Sequence, residues 1–122
     1  MTLSVSTALS ALIGAEHVYI LVLEMFLWNT PRGRKAFNLT PEFAAQSRPL
    51  AANMGLYNGF LAAGIFWGLL HPNAAFGRQI RLFFQGCITV AGLFGAVTSS
   101  KRILYVQAIP AAITLTATLL RI

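Results

Sequence analysis

Long apolar runs separated by polar stretches dominate the chain. A helix that crosses a bilayer needs about 20 mostly apolar residues, each adding about 1.5 Å of rise. Four segments meet this requirement: Leu3 to Trp28, Leu50 to Leu70, Leu82 to Ser100, and Ile103 to Leu120. The pattern therefore predicts an all-α protein, with residues 1–122 forming a single integral membrane domain built as a bundle of four transmembrane helices.

The predicted connections differ in length and polarity. Residues 29–49 are long and polar, and a short interfacial turn is predicted around residues 41–46. The helix breakers of this stretch are Pro31, Gly33, Pro41 and Pro49. Residues 71–81 form a shorter predicted loop, and a tight turn is predicted at Lys101 and Arg102.

Composition supports lipid as the solvent. Hydrophobic residues make up 57% of the chain and charged residues only 10%, whereas about a quarter of the residues in soluble domains are charged. The N-terminal apolar segment has no basic region before it and continues through acidic residues, so we expect a retained helix rather than a cleaved signal peptide. Membrane lipid is therefore the first expected partner.

The net charge of +6 is distributed in short clusters between the apolar runs. These clusters never form a basic stripe with interleaved aromatic residues, so nucleic-acid binding is not predicted. Six basic residues flank the first and third connections, namely Arg32, Arg34, Lys35, Arg48, Lys101 and Arg102. The opposite side has three, namely Arg78, Arg81 and Arg121. The positive-inside rule then predicts that both termini lie outside.

Small residues mark the predicted helix contacts. Gly55 and Gly59 lie four residues apart in the second segment, and Gly92 and Gly95 lie close together in the third. Small residues let helix backbones approach closely in lipid, where no hydrophobic force drives the helices together. These glycines are predicted packing positions.

Three ionisable residues interrupt the first apolar segment. Glu16, His17 and Glu24 fall within an arc of roughly 100° on a helical wheel, and His17 and Glu24 are one heptad apart. A charged group at the bilayer centre costs about 2.5 to 3.5 kcal/mol on insertion scales, so this face is predicted to point toward protein.

Depth along the helices predicts further members of this centre. The second segment runs back outward, which places Asn53 and Tyr57 at a depth similar to that of Glu24, and Asn58 nearer to Glu16 and His17. Gln107 of the fourth segment also reaches the Glu24 level. The predicted binding or proton-responsive centre is therefore Glu16, His17, Glu24, Asn53, Tyr57, Asn58 and Gln107. An alternative for Asn53, Asn58 and Gln107 is that they only hydrogen-bond between helices.

No metal site or cofactor is predicted. The chain has one cysteine, Cys87, and its acidic residues and His17 lack the spacing of metal ligands on adjacent turns. No nucleophile motif, phosphate-binding loop or redox cysteine pair is present in the sequence, so catalytic residues are not assigned.

Four short motifs, "EHVYILVLEMFLW", "NMGLYNGFLAAG", "AGLFGAVT" and "QAIPA", occur in this order. Together they resemble the small bacterial membrane proteins of domain-of-unknown-function family 1304, over essentially the whole chain. The resemblance implies a four-helix integral protein of the bacterial cytoplasmic (inner) membrane, and it implies no particular activity. The matching positions are Glu16, His17, Tyr19, Glu24, Asn53, Gly55, Tyr57, Asn58, Gly59, Gly92, Gly95, Thr98, Gln107 and Pro110.

Three functions remain open from the sequence. A small proton- or cation-linked transporter or channel-like protein ranks first, acting on an ion or small molecule and expected to form a homo-oligomer because four helices enclose little volume. The alternatives are a membrane-embedded acid/base enzyme of the isomerase type, acting on a lipid-soluble substrate, and a non-catalytic membrane assembly subunit. Whether the protein is an enzyme is left open.

Overall fold

The computed structural model describes residues 3–122, which contain five α-helices and no β-strand. The helices are α1 (Val5–Phe26), α2 (Pro31–Phe37), α3 (Pro41–Leu70), α4 (Ala74–Thr98) and α5 (Ile109–Leu119), and a π-helical turn at Leu104–Ala108 leads into α5. The predicted all-α class is confirmed for this part of the chain. Two helices, α1 and α4, are long and apolar enough to cross a membrane, judged by length and composition.

Two Thr-Pro pairs start helices inside the stretch predicted to be a polar loop. The Thr30 hydroxyl accepts a hydrogen bond from the Gly33 N–H at 3.3 Å, and the Thr40 hydroxyl accepts one from the Phe43 N–H at 3.1 Å. A threonine N-cap followed by proline at the first helical position favours a helix start. Pro31 and Pro41 therefore begin α2 and α3 instead of breaking helices.

Pro49 lies inside α3, which begins at Pro41 and not at Leu50 as predicted. Proline has no N–H to donate to the carbonyl four residues earlier, here that of Ala45. Both Pro49 and Ala45 are exposed, so solvent can hydrogen-bond to this carbonyl. The helix continues through Pro49 for this reason.

The start of α4 also differs from the sequence prediction. The side chain of Asn73 caps the helix by accepting a hydrogen bond from the Phe76 N–H at 3.1 Å, so α4 begins at Ala74 instead of Leu82. Arg78 and Arg81 consequently lie within the helix and not in a loop. Asparagine is among the preferred N-cap residues, which is the physical reason for the earlier start.

A π-helical turn precedes Pro110 in the last helical stretch of the chain. Pro110 cannot donate to the Val106 carbonyl, and the preceding residue, Ile109, donates to the Leu104 carbonyl five residues back. Single π turns inside helices are a known way to absorb such an interruption. Gln107 lies within this turn and is half-buried.

The described residues divide into two compact units. The central unit is Ala15–Ala62, and the terminal unit combines the segment ending at Gly14 with Ala63–Ile122. The boundaries fall within α1 and within α3.

The core of the central unit forms around Trp28, which is 7% exposed and follows the end of α1. Its ring packs against Phe37 at 4.8 Å between centroids, and its Nε1–H donates to the Ser47 hydroxyl at 2.9 Å. Ala44 and Ala51 of α3 complete this core. These contacts attach α2 and the first turns of α3 to the end of α1.

Close backbone approaches join the helices of the terminal unit. A Cβ on Gly92 of α4 would lie 2.7 Å from the Ala108 nitrogen, and a Cβ on Gly68 of α3 would lie 2.8 Å from the Gly77 carbonyl oxygen. The two ends of the described chain also meet, because the Val5 N–H donates to the Ile122 carbonyl at 2.9 Å. The start of α1 and the end of α5 therefore lie together in this unit.

Candidate functional site

The candidate site in the central unit depends on a close contact between α1 and α3. A Cβ on Gly55 would lie 2.6 Å from Cγ of Met25 and 3.2 Å from the Leu21 carbonyl oxygen, and a Cβ on Gly59 would lie 2.6 Å from Cδ1 of Leu21. The absence of side chains at these two positions lets α3 approach the face of α1 that carries Glu24.

Glu24 and Asn58 form the direct polar contact of this site. The Asn58 amide donates to Oε1 of Glu24 at 2.6 Å and to the carbonyl of Met54, in its own helix, at 3.2 Å. Glu24 is only 5% exposed. A buried carboxyl group requires such a donor, since a buried acceptor left without a partner costs about 1 to 3 kcal/mol.

His17 lies two helical turns before Glu24, on the same face of α1. Its side chain is fully buried, and its Nδ1 is 3.8 Å from Oε1 of the neighbouring Glu16. The rise per residue places His17 about 10 Å from Glu24 along the helix axis. His17 and Glu24 are therefore two separate ionisable positions rather than one hydrogen-bonded pair.

Glu16 is 28% exposed at its side chain, yet its Oε1 is buried and has no hydrogen-bond partner among the described residues. Glu16 and His17 are therefore neighbouring, oppositely ionisable groups. Among the described residues, no lysine or arginine forms an ion pair with Glu24 within 4.0 Å, and the Asn58 amide is its hydrogen-bond donor.

Two other predicted members of the centre, Asn53 and Tyr57, take no part in the Glu24–Asn58 contact. Asn53 is exposed, and Tyr57 is 59% exposed with its ring edge-on to Phe60 at 6.0 Å between centroids. Gln107 belongs to the terminal unit. Within the central unit, the structure thus brings Glu24 together with Asn58 and leaves Asn53 and Tyr57 on an exposed face of α3.

Metal-binding geometry is not found in the part of the chain that the structure describes. No group of three His, Cys, Asp or Glu side chains there lies close enough to hold a metal ion. The side chains described at this site carry carboxyl, imidazole and amide groups.

The similarity of this chain to known proteins extends over almost its whole length. Residues 11–119 match the model of the family DUF1304, described as a protein of unknown function. The chain belongs to the DUF1304 family. It is also 33% identical over 101 residues to the uncharacterized protein YpaA of Lactococcus lactis subsp. lactis, a match that spans 81% of this chain and 83% of YpaA. No solved structure matches.

The DUF1304 match includes every position of the candidate site, from Glu16 to Gln107. It therefore confirms the family that the four motifs indicated. The family description assigns no activity, so the function has to be argued from the site itself.

Sequence reasoning missed a second buried polar cluster of this DUF1304 protein, located in the terminal unit. The Ser10 hydroxyl accepts hydrogen bonds from Arg81 at 3.2 Å and from the Gln85 amide at 2.9 Å, and it donates to the Ser6 carbonyl at 2.7 Å. Ser10 and Gln85 are fully buried and Arg81 is 8% exposed. Oε1 of Gln85 is buried without a hydrogen-bond partner among the described residues.

A signal for this cluster was present in the sequence. Arg81 and Gln85 are four residues apart, so they share one face of a helix. The argument from depth along the helices also places Ser10, near the start of α1, at the level of these two residues near the start of α4. A serine in an apolar run is too common to draw attention by itself.

Proposed function

We propose that this DUF1304 protein is a multi-pass protein of the bacterial inner membrane, with both termini outside and residues 1–122 forming one integral domain. Helices α1 and α4 supply two spans. The apolar part of α3 from Leu50 to Leu70 and the stretch 102–119 are each long enough, at about 1.5 Å per residue, to supply the other two.

Exposed apolar side chains support this assignment. Along α4, Phe83, Val90, Phe94 and Val97 are 66% to 87% exposed. Contiguous apolar surface of this kind marks a membrane or partner contact in place of a water-facing surface. Lipid contacting these side chains is the simplest arrangement for a chain with this composition.

Within this membrane protein, we propose that Glu24 is the centre of a small proton- or cation-linked transporter or channel-like activity. The observation that supports it is the buried Glu24 carboxyl, hydrogen-bonded to Asn58 across the glycine contact of α1 and α3. A hydrogen bond from an amide N–H to an ionised carboxylate is about twice as strong as one from the same group to a neutral carboxyl group. Gain or loss of a proton at Glu24 therefore changes the strength of the contact between the two helices.

Glu16 and His17 provide a second proton-binding position on the same helix. The distance between His17 and Glu24, two helical turns, is too long for direct proton transfer. Movement of a proton between them therefore requires intervening water or a displacement of the helix. Because a single chain of this size encloses little volume, we further propose that the pathway for a small ion or solute is shared between copies of the chain.

Proteoliposome currents test this function. We expect the purified protein, reconstituted in liposomes on a solid-supported membrane, to give transient currents when a proton gradient is imposed or when small cations and solutes are added in turn. Glu24→Gln keeps a side chain of the same size but removes the exchangeable proton. It is expected to reduce these currents by about a hundredfold or more, the range that a positioned proton-transfer group contributes.

Glu42→Gln is the matched control, since Glu42 is exposed in the first turn of α3. This variant should retain the wild-type currents. If Glu24→Gln and wild type carry equal currents while the two proteins differ in stability, the assembly-subunit alternative is favoured and the transport proposal is wrong.

A further inference from the structure

A cavity of about 470 Å³ lies within the terminal unit. Its walls come from the start of α1, the connection between α3 and α4, the first turns of α4 and the end of α5. Three arginines and four hydroxyl side chains are among its lining residues, namely Arg78, Arg81, Arg121, Ser4, Ser6, Thr7 and Thr118. The cavity volume is within the range of about 300 to 1,000 Å³ that is usual for small-molecule sites.

The positive charge of this cavity is not balanced by an acidic side chain of its own unit. The three acidic residues of the chain are Glu16, Glu24 and Glu42, and all of them belong to the central unit. The guanidinium groups of the cavity therefore have no acidic side chain of their own unit to balance their charge.

Uncharged oxygens hold two of these arginines in place. Arg78 donates to the carbonyls of Thr118 at 3.2 Å and Leu119 at 3.3 Å, and Arg81 donates to the Ser10 hydroxyl at 3.2 Å. These bonds orient the side chains but leave their charge intact. Arg81 is 8% exposed, so it is a built part of the cavity wall and not a mobile surface residue.

Arg121 occupies a backbone position that favours glycine. Its φ is 59°, and the N–H of the next residue donates to the Ala117 carbonyl at 3.1 Å, as in the motif that ends many helices with glycine at this point. An arginine in the left-handed region has an unfavourable backbone conformation. The side chain brings a third guanidinium to the cavity at this position.

We propose that this cavity binds a phosphate-bearing anion. Guanidinium groups match the oxygens of phosphate through paired, charge-assisted hydrogen bonds. The Ser4 and Ser6 hydroxyl groups, which lie 3.2 Å from each other, are polar neighbours of the arginines in the cavity lining. The anion is either a phospholipid headgroup or a soluble phosphate ester. This proposal is independent of proton exchange at Glu24.

Binding of a soluble phosphate ester is tested by thermal unfolding of the delipidated full chain in neutral detergent. Glycerol 3-phosphate, added at constant ionic strength against a chloride reference, is expected to raise the Tm in a saturable way. Arg121→Gly removes one guanidinium and restores the residue type that the helix end favours. We therefore expect its Tm without ligand to be at least that of wild type, and its apparent Kd to be weaker by about tenfold or more.

Lys101→Gln is the control because it removes a positive charge from the same unit outside the cavity. It should bind as wild type does. Arg81→Gln removes a second positive charge from the cavity. If Arg81→Gln fails to fold, the apparent Kd of Arg121→Gly alone tests whether the cavity arginines bind the anion.

The source of the phosphate is tested by native mass spectrometry after incubation with phosphatidylglycerol or with a neutral glycolipid. Retention of phosphatidylglycerol that is lost in Arg121→Gly, with no response to glycerol 3-phosphate, identifies a lipid headgroup. A response to glycerol 3-phosphate identifies a soluble ester. The proposal is overturned if wild type binds neither ligand, or if Arg121→Gly binds them as tightly as Lys101→Gln does.

Discussion

Gly33→Ala is expected to lower the free energy of unfolding by about 3 kcal/mol or more, at the upper end of the range for overpacking. A Cβ at this position would overlap the Leu27 carbonyl oxygen and lie 2.7 Å from the Trp28 carbonyl oxygen. Both are backbone atoms, so no side-chain rotation relieves the overlap. Helix α2 would have to move from the end of α1, and the contact of Phe37 with Trp28 would be lost with it.

Gly86→Ala introduces the same methyl group into a helix where nothing lies within 4 Å of the added atom. Alanine is favoured over glycine inside a helix, so this control is expected to be neutral or to stabilise by up to about 1 kcal/mol. Unfolding in mixed micelles, followed by tryptophan fluorescence, measures both variants. Equal stability of the two would show that the packing described around Gly33 is incorrect.

Asn58→Leu is expected to lower the free energy of unfolding by about 2 to 3 kcal/mol, because it leaves the buried Glu24 carboxyl without its amide donor. Replacing both partners removes the unsatisfied group together with the hydrogen bond. The double variant Glu24→Leu/Asn58→Leu should therefore be more stable than the sum of the two single effects predicts, with a coupling energy of about 1 to 3 kcal/mol.

Asn53→Leu is the control for this cycle. It makes the same change in the same helix at an exposed position, where substitutions alter stability by no more than about 0.5 kcal/mol. A coupling energy near zero between positions 24 and 58, or an equal loss in Asn53→Leu, would remove the structural basis of the proposed centre.

The sequence predicts which face of α1 is buried, because the helical repeat fixes the direction of each side chain around the helix axis. The heptad between His17 and Glu24 places both on one side, and the cost of exposing them to lipid predicts that this side is inward. The structure buries both residues. The depth argument places Asn58 nearer Glu16 and His17, whereas in the structure its amide donates to Glu24.

The depth of a residue in the membrane does not determine the direction in which its side chain points. Depth therefore selects Asn53 and Tyr57 together with Asn58. The positions of the glycines indicate which face of α3 packs against α1. At about 100° per residue, Asn58 lies within about 60° of Gly55, whereas Asn53 and Tyr57 lie about 160° away from it. The face of α3 marked by Gly55 and Gly59, combined with the depth of each residue in the membrane, retains Asn58 and rejects Asn53 and Tyr57.

Helix boundaries were predicted less well because proline and threonine were interpreted singly. Pro31 and Pro41 each follow a threonine whose hydroxyl caps the helix, so the pair is a start signal although proline alone indicates a break. The π-helical turn at Leu104–Ala108 could not be foreseen, since it depends on how the chain before Pro110 packs on α4.

Infrared spectroscopy of the reconstituted protein tests most directly whether the buried carboxyl of Glu24 exchanges protons with water. The chain has three acidic side chains, so variants can assign each carboxyl band. We predict a band from a protonated, hydrogen-bonded carboxyl group that appears and disappears reversibly with pH, is absent in Glu24→Gln, shifts in Asn58→Leu and persists in Glu42→Gln. A set of pH-dependent carboxyl bands that is identical in wild type and Glu24→Gln would contradict the account.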